Sequence, residues 1–196
     1  LGGRLELKRK LGAGAMAEVF LGVDKATGDK FAVKVLAAPQ GASADTLIAR
    51  FKREFLACAR LDHPNVIKLY SFGQVEGGGL YYSMDFLPWP DLEELLKQQG
   101  KAQPEFVLNM AEQMASAFSH YHAMAVVHRD LKPANILVSQ EENKVIITDF
   151  GLARDLDRTR MTATGVLVGS PLYMSPELIT GQKADLRSDI YQLGVI

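Results

Sequence analysis

Four polar residues with complementary chemistry, Asp130, Lys132, Asn135 and Asp149, lie within a 20-residue span of the chain. They sit in two polar runs, His128-Arg129-Asp130-Leu131-Lys132-Pro133-Ala134-Asn135 and Asp149-Phe150-Gly151. The apolar stretches Ala125-Val126-Val127, Ile136-Leu137-Val138 and Val145-Ile146-Ile147 border these runs and read as buried strands, which makes the polar runs loops at strand ends, where sites are commonly built. Transfer of a phosphoryl group needs a carboxylate beside the attacking hydroxyl, hard oxygen ligands for a divalent ion, and a cation to offset the charge developing on the transferred group. Asp130 supplies the first, Asp149 with Asn135 the second, and Lys132 the third. The alternative, two aspartates acting as the acid–base pair of a hydrolase, leaves Lys132 and Asn135 without a role.

The first third of the chain offers the groups that would hold phosphates. Gly12-Ala13-Gly14-Ala15-Met16-Ala17 fits a GxGxxA pattern that serves more than one phosphate-binding design. A dinucleotide fold requires a helix directly after the glycines. Here the alternation of Val19, Leu21 and Val23 predicts a strand, Gly28-Asp29 a turn, and Phe31 to Leu36 a second strand, so the glycines open a hairpin whose amides can face phosphate. Lys34 falls inside that second strand, where an ammonium needs a partner or a route to solvent. Residues 39 to 45 read as a loop; from Thr46 the spacing of Leu47, Phe51, Phe55, Cys58 and Leu61 predicts a helix ending near His63-Pro64. Glu54 lies on its inward side and is either the partner of Lys34 or a solvated neighbour of Lys52 and Arg53.

Further along, Ile67 to Gly73 and Leu80 to Leu87 predict two strands around the Glu76-Gly77-Gly78-Gly79 turn, and Pro88-Trp89-Pro90 ends the strand-rich part. Leu92 to Gln99 and Pro104 to about Met124 predict helices. The expected architecture is therefore α+β, with a small antiparallel sheet and one helix over residues 1–87 and a mostly helical lobe over 88–196. With 196 residues, 47% of them hydrophobic, the chain is long enough for a core in each lobe. Its 22 Lys and Arg against 23 Asp and Glu give a net charge of −1, so bulk charge recruits neither nucleic acid nor an anionic membrane, and phosphate binding has to be local. The single cysteine, Cys58, suits a reducing compartment and the expected location is the cytoplasm. No stretch approaches the ~20 apolar residues of a membrane helix, so no membrane contact is expected of this segment.

Taken in order, the glycine loop, Lys34, Glu54, the run ending at Asn135, Asp149-Phe150-Gly151 and Ser175-Pro176-Glu177 resemble the signature set of the protein kinase family over essentially the whole chain. The resemblance implies the bilobal kinase fold and transfer of the γ-phosphoryl group of ATP to Ser or Thr hydroxyls of protein substrates in signal transduction. It implies Asp130 as catalytic base, Lys132 at the γ-phosphate, Asn135 and Asp149 as ligands of Mg²⁺ (with Mn²⁺ the alternative ion), and Lys34 held by Glu54. The ATP site it implies runs through Leu11, Gly12, Ala13, Gly14, Ala15, Met16, Ala17, Glu18 and Val19, with Ala32 and Leu137 about the adenine, Met84 as gatekeeper and Asp85 to Leu87 as the hinge. Lys132 followed by Pro133-Ala134-Asn135 resembles the serine/threonine branch, and the wording of the glycine loop resembles the eukaryotic-like kinases of bacteria. A nucleotide-binding scaffold without transfer activity would be expected to lack the lysine, the base or the metal aspartate, and all are present.

The resemblance also implies control. Arg129 and Arg154 resemble the basic pocket for an activation-loop phosphate, with Thr162 and Thr164 the expected autophosphorylation sites, Thr159 nearby, and a kinase–kinase dimer the expected partner for that step. Ser170 stands where a threonine usually bridges base and lysine. Three positions depart from the family pattern: Ala17 for the third glycine, Ala125 for a glycine that caps a helix, and Ser175 for alanine. His120 and His122 point about 200° apart on a helix and are expected to serve helix packing rather than share a metal with His128. Cys58 and Leu69 are expected to stack with Phe150 and His128 above Asp189, and Met110 and Met114 to be core. Ser188-Asp189-Ile190-Tyr191 is expected to begin a central helix that the end of the sequence interrupts, leaving the helical lobe incomplete and this stretch alone poorly stable and weakly active.

Overall fold

The computed structural model describes residues 1–14, 17–38, 44–152 and 171–196. They form two units, one holding Leu1–Arg60 and Lys68–Leu87, the other Leu61–Ile67 and Pro88–Gly151 with the residues from 171 on.

The first unit is a five-stranded antiparallel sheet with one helix. Its elements are β1 (Leu5–Ala13), β2 (Ala17–Asp24), β3 (Lys30–Leu36), α1 (Ala44–Cys58), β4 (Leu69–Gln74) and β5 (Leu80–Asp85), in the sheet order β1-β2-β3-β5-β4. β1 escapes a reading by alternation because it is an edge strand with exposed Lys8, Arg9 and Lys10, and irregularities at Leu7/Arg9 and Lys10/Gly12 break its period. Residues directly opposite one another share a face of a sheet, and alternate residues of a strand do too. The register Val19↔Lys34↔Tyr82 and Leu21↔Ala32↔Met84 therefore puts Val19, Ala32, Lys34, Tyr82 and Met84 on one face. That is the face α1 covers: Phe51 and Phe55 bring their rings to 6.2 and 6.4 Å from Tyr82, and to 6.3 and 4.9 Å from Phe72. The opposite face gathers Leu5, Val33 and Tyr81 beneath Leu7, Phe31, Val35 and Val75.

The helix stops at Cys58 rather than running to His63. Leu61 keeps the helical spacing and is buried, yet it belongs to the second unit, where residues 61–67 lie along a strand edge: the Ile67 amide donates to Ile147 O (2.9 Å) and the Ile147 amide to Asn65 O (2.9 Å). A buried apolar residue carries no record of which core it enters.

The second unit contains α2 (Leu92–Gln99), α3 (Pro104–Ala123), the hairpin β6 (Ile136–Ser139) and β7 (Lys144–Ile147), α4 (Pro176–Ile179) and α5 (Leu186–Val195). Local chemistry sets the helix starts. Asp91 caps α2 through the Glu94 amide (2.8 Å), Pro104 opens α3, and Asp185 with Ser188 forms a capping box on α5. The core of α3 is Met110, Met114, Ala117, Phe118 and Tyr121.

Ala125-Val126-Val127 is not a strand. The Ala125 amide donates to His122 O and the Val126 amide to Tyr121 O, so the segment closes the carboxyl end of α3, and Ala125 takes a left-handed backbone at φ 56° to do so. An L residue pays about 1–2 kcal/mol for that conformation, part of which glycine returns through its freer unfolded chain. Ala125→Gly is expected to stabilise the protein by about 0.5–1 kcal/mol, read as a raised denaturation midpoint at unchanged m; a lower midpoint contradicts the strain.

Candidate active site

In the second unit the expected chemical residues are tied into one hydrogen-bonded frame around His128, which is fully buried. Its Nε2–H donates to Thr148 O (2.8 Å), which leaves Nδ1 to accept the Asp130 amide (3.3 Å). The Thr148 amide donates to Asn135 O (3.0 Å), the Gly151 amide to His128 O (3.1 Å), and the rings of His128 and Phe150 lie 4.8 Å apart. The register Ile136↔Ile147 sets Asn135 opposite Thr148, so Asp149 follows one residue beyond, at φ 60°.

Within the frame, Lys132 Nζ lies 3.1 Å from Asp130 Oδ2 and Asn135 Nδ2 donates to Asp130 O (2.7 Å). The structure thus brings Asp130, Lys132 and Asn135 together. Both members of the Lys132–Asp130 pair keep partial contact with solvent. Leu137 is half-buried in β6, held by an antiparallel bridge to Asp91.

The frame rests on α5. Asp189, fully buried, accepts from the amides of His128 (Oδ2, 2.9 Å) and Arg129 (Oδ1, 3.0 Å) and from His122 Nε2 (Oδ2, 2.9 Å). Two consecutive amides can reach one carboxylate only if the chain turns sharply between them, and Arg129 sits at φ 70°. Gln192, one turn along α5 and also buried, accepts the Leu131 amide on Oε1 (3.2 Å). Burial, with the charge of Asp189 adding to it, pushes the Tyr121 phenol above its ordinary range. His122 and Gln192 are supports that sequence reading missed. Nothing in the spacing of His122 connects it to an aspartate 67 residues later, and a lone glutamine in an amphipathic run carries no signal.

In the first unit the ladders hold Leu11, Gly12 and Ala13 at the end of β1 and Ala17, Glu18 and Val19 at the start of β2, paired Gly12↔Val19 and Ala13↔Glu18. The Gly14 amide donates to Ala17 O (2.8 Å) and closes the turn. Ala17 lies in the strand opposite Leu36, where a side chain costs no special backbone conformation. A Cβ on Gly12 would meet nothing within 4 Å, so the chain's own packing does not call for glycine there. Lys34 is half-buried, and Glu54 stands at the margin of the buried face of α1 while Lys52 and Arg53 are exposed. Ala32 and Met84 are buried, Asp85 ends β5, and Leu87 is half-buried just beyond it. Ala15, Met16, Arg154, Thr159, Thr162, Thr164 and Ser170 lie outside the described residues. Among the described residues no three His, Cys, Asp or Glu side chains form a metal cluster, and no helix is long and apolar enough to cross a membrane.

The sequence profile of the protein kinase domain matches residues 5–196. The chain belongs to the protein kinase family. Bacterial serine/threonine-protein kinases are among its relatives. It is 38% identical to the serine/threonine-protein kinase PrkC of Bacillus subtilis over all of this chain and 30% of PrkC. It is 36% identical to the serine/threonine-protein kinase PknA of Mycobacterium tuberculosis over all of this chain and 46% of PknA. Among solved structures, the kinase domain of Mycobacterium tuberculosis PknI superposes with a TM-score of 0.75 at 29% identity, covering 96% of this chain and 68% of that one. The chain therefore has the kinase fold, a sheet-based lobe and a helical lobe, and spans 30% to 46% of the length of these two relatives. Protein kinases use ATP and a divalent metal ion.

Proposed function

We propose that the chain is the catalytic segment of an ATP-dependent serine/threonine protein kinase of the bacterial eukaryotic-like type, acting in signal transduction in the cytoplasm. The observation that carries the reading is the frame around His128, which ties the Asp130–Lys132–Asn135 cluster and the Asp149 turn to one buried support. In the proposed reaction the substrate hydroxyl oxygen bonds to the γ-phosphorus, the bond from that phosphorus to the β–γ bridging oxygen breaks to release ADP, and the hydroxyl proton passes to Asp130. Lys132, held beside Asp130, offsets charge on the transferred group.

Asn135 and Asp149 would hold the divalent ion, which supplies neutralisation of the phosphate charges. The donor set fits a hard cation: Asn135 spends Nδ2 on Asp130 O, which turns its oxygen to ligation, and two protein oxygens leave positions for phosphate and water. Mg²⁺ is the proposed ion, with Mn²⁺ the expected substitute. Gly12 is compatible with the ATP reading, since no side chain of the described residues stands where a phosphate would approach its backbone. Val19, Ala32, Lys34 and Met84 support it, by sharing the sheet face on which α1 and Glu54 lie. Leu11, Ala13, Gly14, Ala15, Met16, Ala17, Glu18, Asp85, Leu87 and Leu137 complete the proposed ATP site. Protein substrates, a kinase–kinase dimer, and control by Arg129, Arg154, Ser170 and phosphorylated Thr162 or Thr164 belong to the same proposal.

Label from γ-labelled ATP is expected in Ser and Thr of a generic protein substrate, to vanish on chelation, to return with Mg²⁺ or Mn²⁺, and to fall about 10²–10⁴-fold in Asp130→Asn. Equal incorporation by wild type and Asp130→Asn sinks the assignment. For the control step, the double variant Thr162→Ala/Thr164→Ala is expected to lose at least about tenfold in activity; full activity on a peptide removes autophosphorylation at these threonines from the account.

A further inference from the structure

An exposed tyrosine at the edge of the first unit is placed more tightly than its position requires. Tyr70 lies in β4, between the pairs Leu69↔Met84 and Ser71↔Ser83, where the register shifts by one residue. A bulge of this kind re-aims the side chain it carries. Tyr70 is 52% exposed, yet its hydroxyl donates to Asp85 Oδ1 at 2.5 Å and its ring meets Phe31 edge-on at 5.2 Å. The second oxygen of Asp85, Oδ2, accepts the Lys68 amide (3.3 Å), and the Asp85 amide donates to Lys68 O (3.1 Å). Both carboxylate oxygens and the amide of Asp85 are thus bonded to residues 68 and 70, at the start of β4.

Asp85 is also where the sheet lets go. Its pairing with Phe31 is the last rung of the β3–β5 ladder, and residues 86 and 87 run on without a strand partner. The direction in which the backbone of 85–87 leaves the sheet is set by how firmly Asp85 is held. Under the kinase reading, on which this inference rests, that backbone is the part that hydrogen-bonds adenine. We infer that Tyr70 is a positioning residue for the adenine ring, clamping Asp85 through its carboxylate and thereby orienting the 85–87 backbone without touching the nucleotide. The hydrogen bond to Asp85, with burial and the carboxylate's charge, pushes the Tyr70 phenol up to about 12, so the clamp keeps its proton across the neutral range.

The test is Tyr70→Phe, which keeps the ring against Phe31 and removes only the hydroxyl. Affinity for ADP and for inorganic tripolyphosphate is measured by calorimetry, with KM for ATP, KM for peptide and kcat alongside. Affinity for ADP is expected to fall, and KM for ATP to rise, about 3- to 10-fold at every pH from 6 to 9, the scale of one typical, partly solvent-exposed hydrogen bond. Tripolyphosphate affinity, KM for peptide and kcat should be unchanged. Tyr70→Phe added to Asp85→Ala should do nothing further, because the clamp is already gone. Unchanged ADP affinity overturns the inference, and so does an equal loss for ADP and tripolyphosphate, which would mean general loosening of the sheet. If wild type binds ADP but transfers no phosphoryl group, the kinase activity fails while the binding arm still judges Tyr70; if wild type does not bind ADP, both fall.

Discussion

One buried carboxylate organises the second unit. Asp189 has no solvent, so its charge is tolerable only with hydrogen bonds, and it takes them from two consecutive loop amides and a histidine of α3. Charge-assisted bonds of this kind contribute about 1.5–3 kcal/mol each, so the two from the loop amides together match or exceed the about 1–3 kcal/mol stored in a left-handed Arg129. The strained residue directly before Asp130 therefore follows from the anchor beneath it. With the loop backbone fixed, His128 has one tautomer that satisfies both ring nitrogens, and that tautomer joins the Asp130 amide to the Thr148 carbonyl. The polar groups facing solvent inherit their positions from atoms that never meet a substrate.

The first unit solves a different problem, which is to align side chains along one face of a sheet. Its unbroken β2–β3–β5 register puts Val19, Ala32, Lys34 and Met84 together on that face. The face is completed by aromatic packing of α1, and the irregular pairing is confined to β1 and β4 at the two edges. Irregularity at the edges costs least, because each edge strand has only one ladder to disturb.

Much of this was legible in the sequence, for identifiable reasons. β2, β3, β5, α2 and α3 follow from period and punctuation, since each buries one clear face and starts or ends at a turn or cap. The cluster of Asp130, Lys132 and Asn135 was readable from residue type, because its side chains are chemically complementary at close spacing. What stayed hidden depends on partners far along the chain. Leu61 looked like another turn of α1 because burial has no address, and Ala125–Val127 looked like a strand because three apolar residues give no period. His122 and Gln192 support the loop through contacts 67 and 61 residues away, which no local pattern encodes. The penalty at Ala125 was visible as a missing helix-capping glycine, and the structure adds the left-handed φ of 56° that the alanine adopts there.

The division between the buried anchoring carboxylate of Asp189 and the solvent-touched carboxylate of Asp130 is the central physical claim, and comparing equilibrium denaturation of Asp189→Ala and Asp130→Ala with wild type tests it most directly. Removing Asp189 orphans the buried His128 amide and the Arg129 amide and is predicted to lose at least about 3 kcal/mol, whereas Asp130 gives up a solvent-touched pair with Lys132 and should lose no more than about 1 kcal/mol. Equal losses, or an Asp189→Ala protein within about 1 kcal/mol of wild type, would contradict the account.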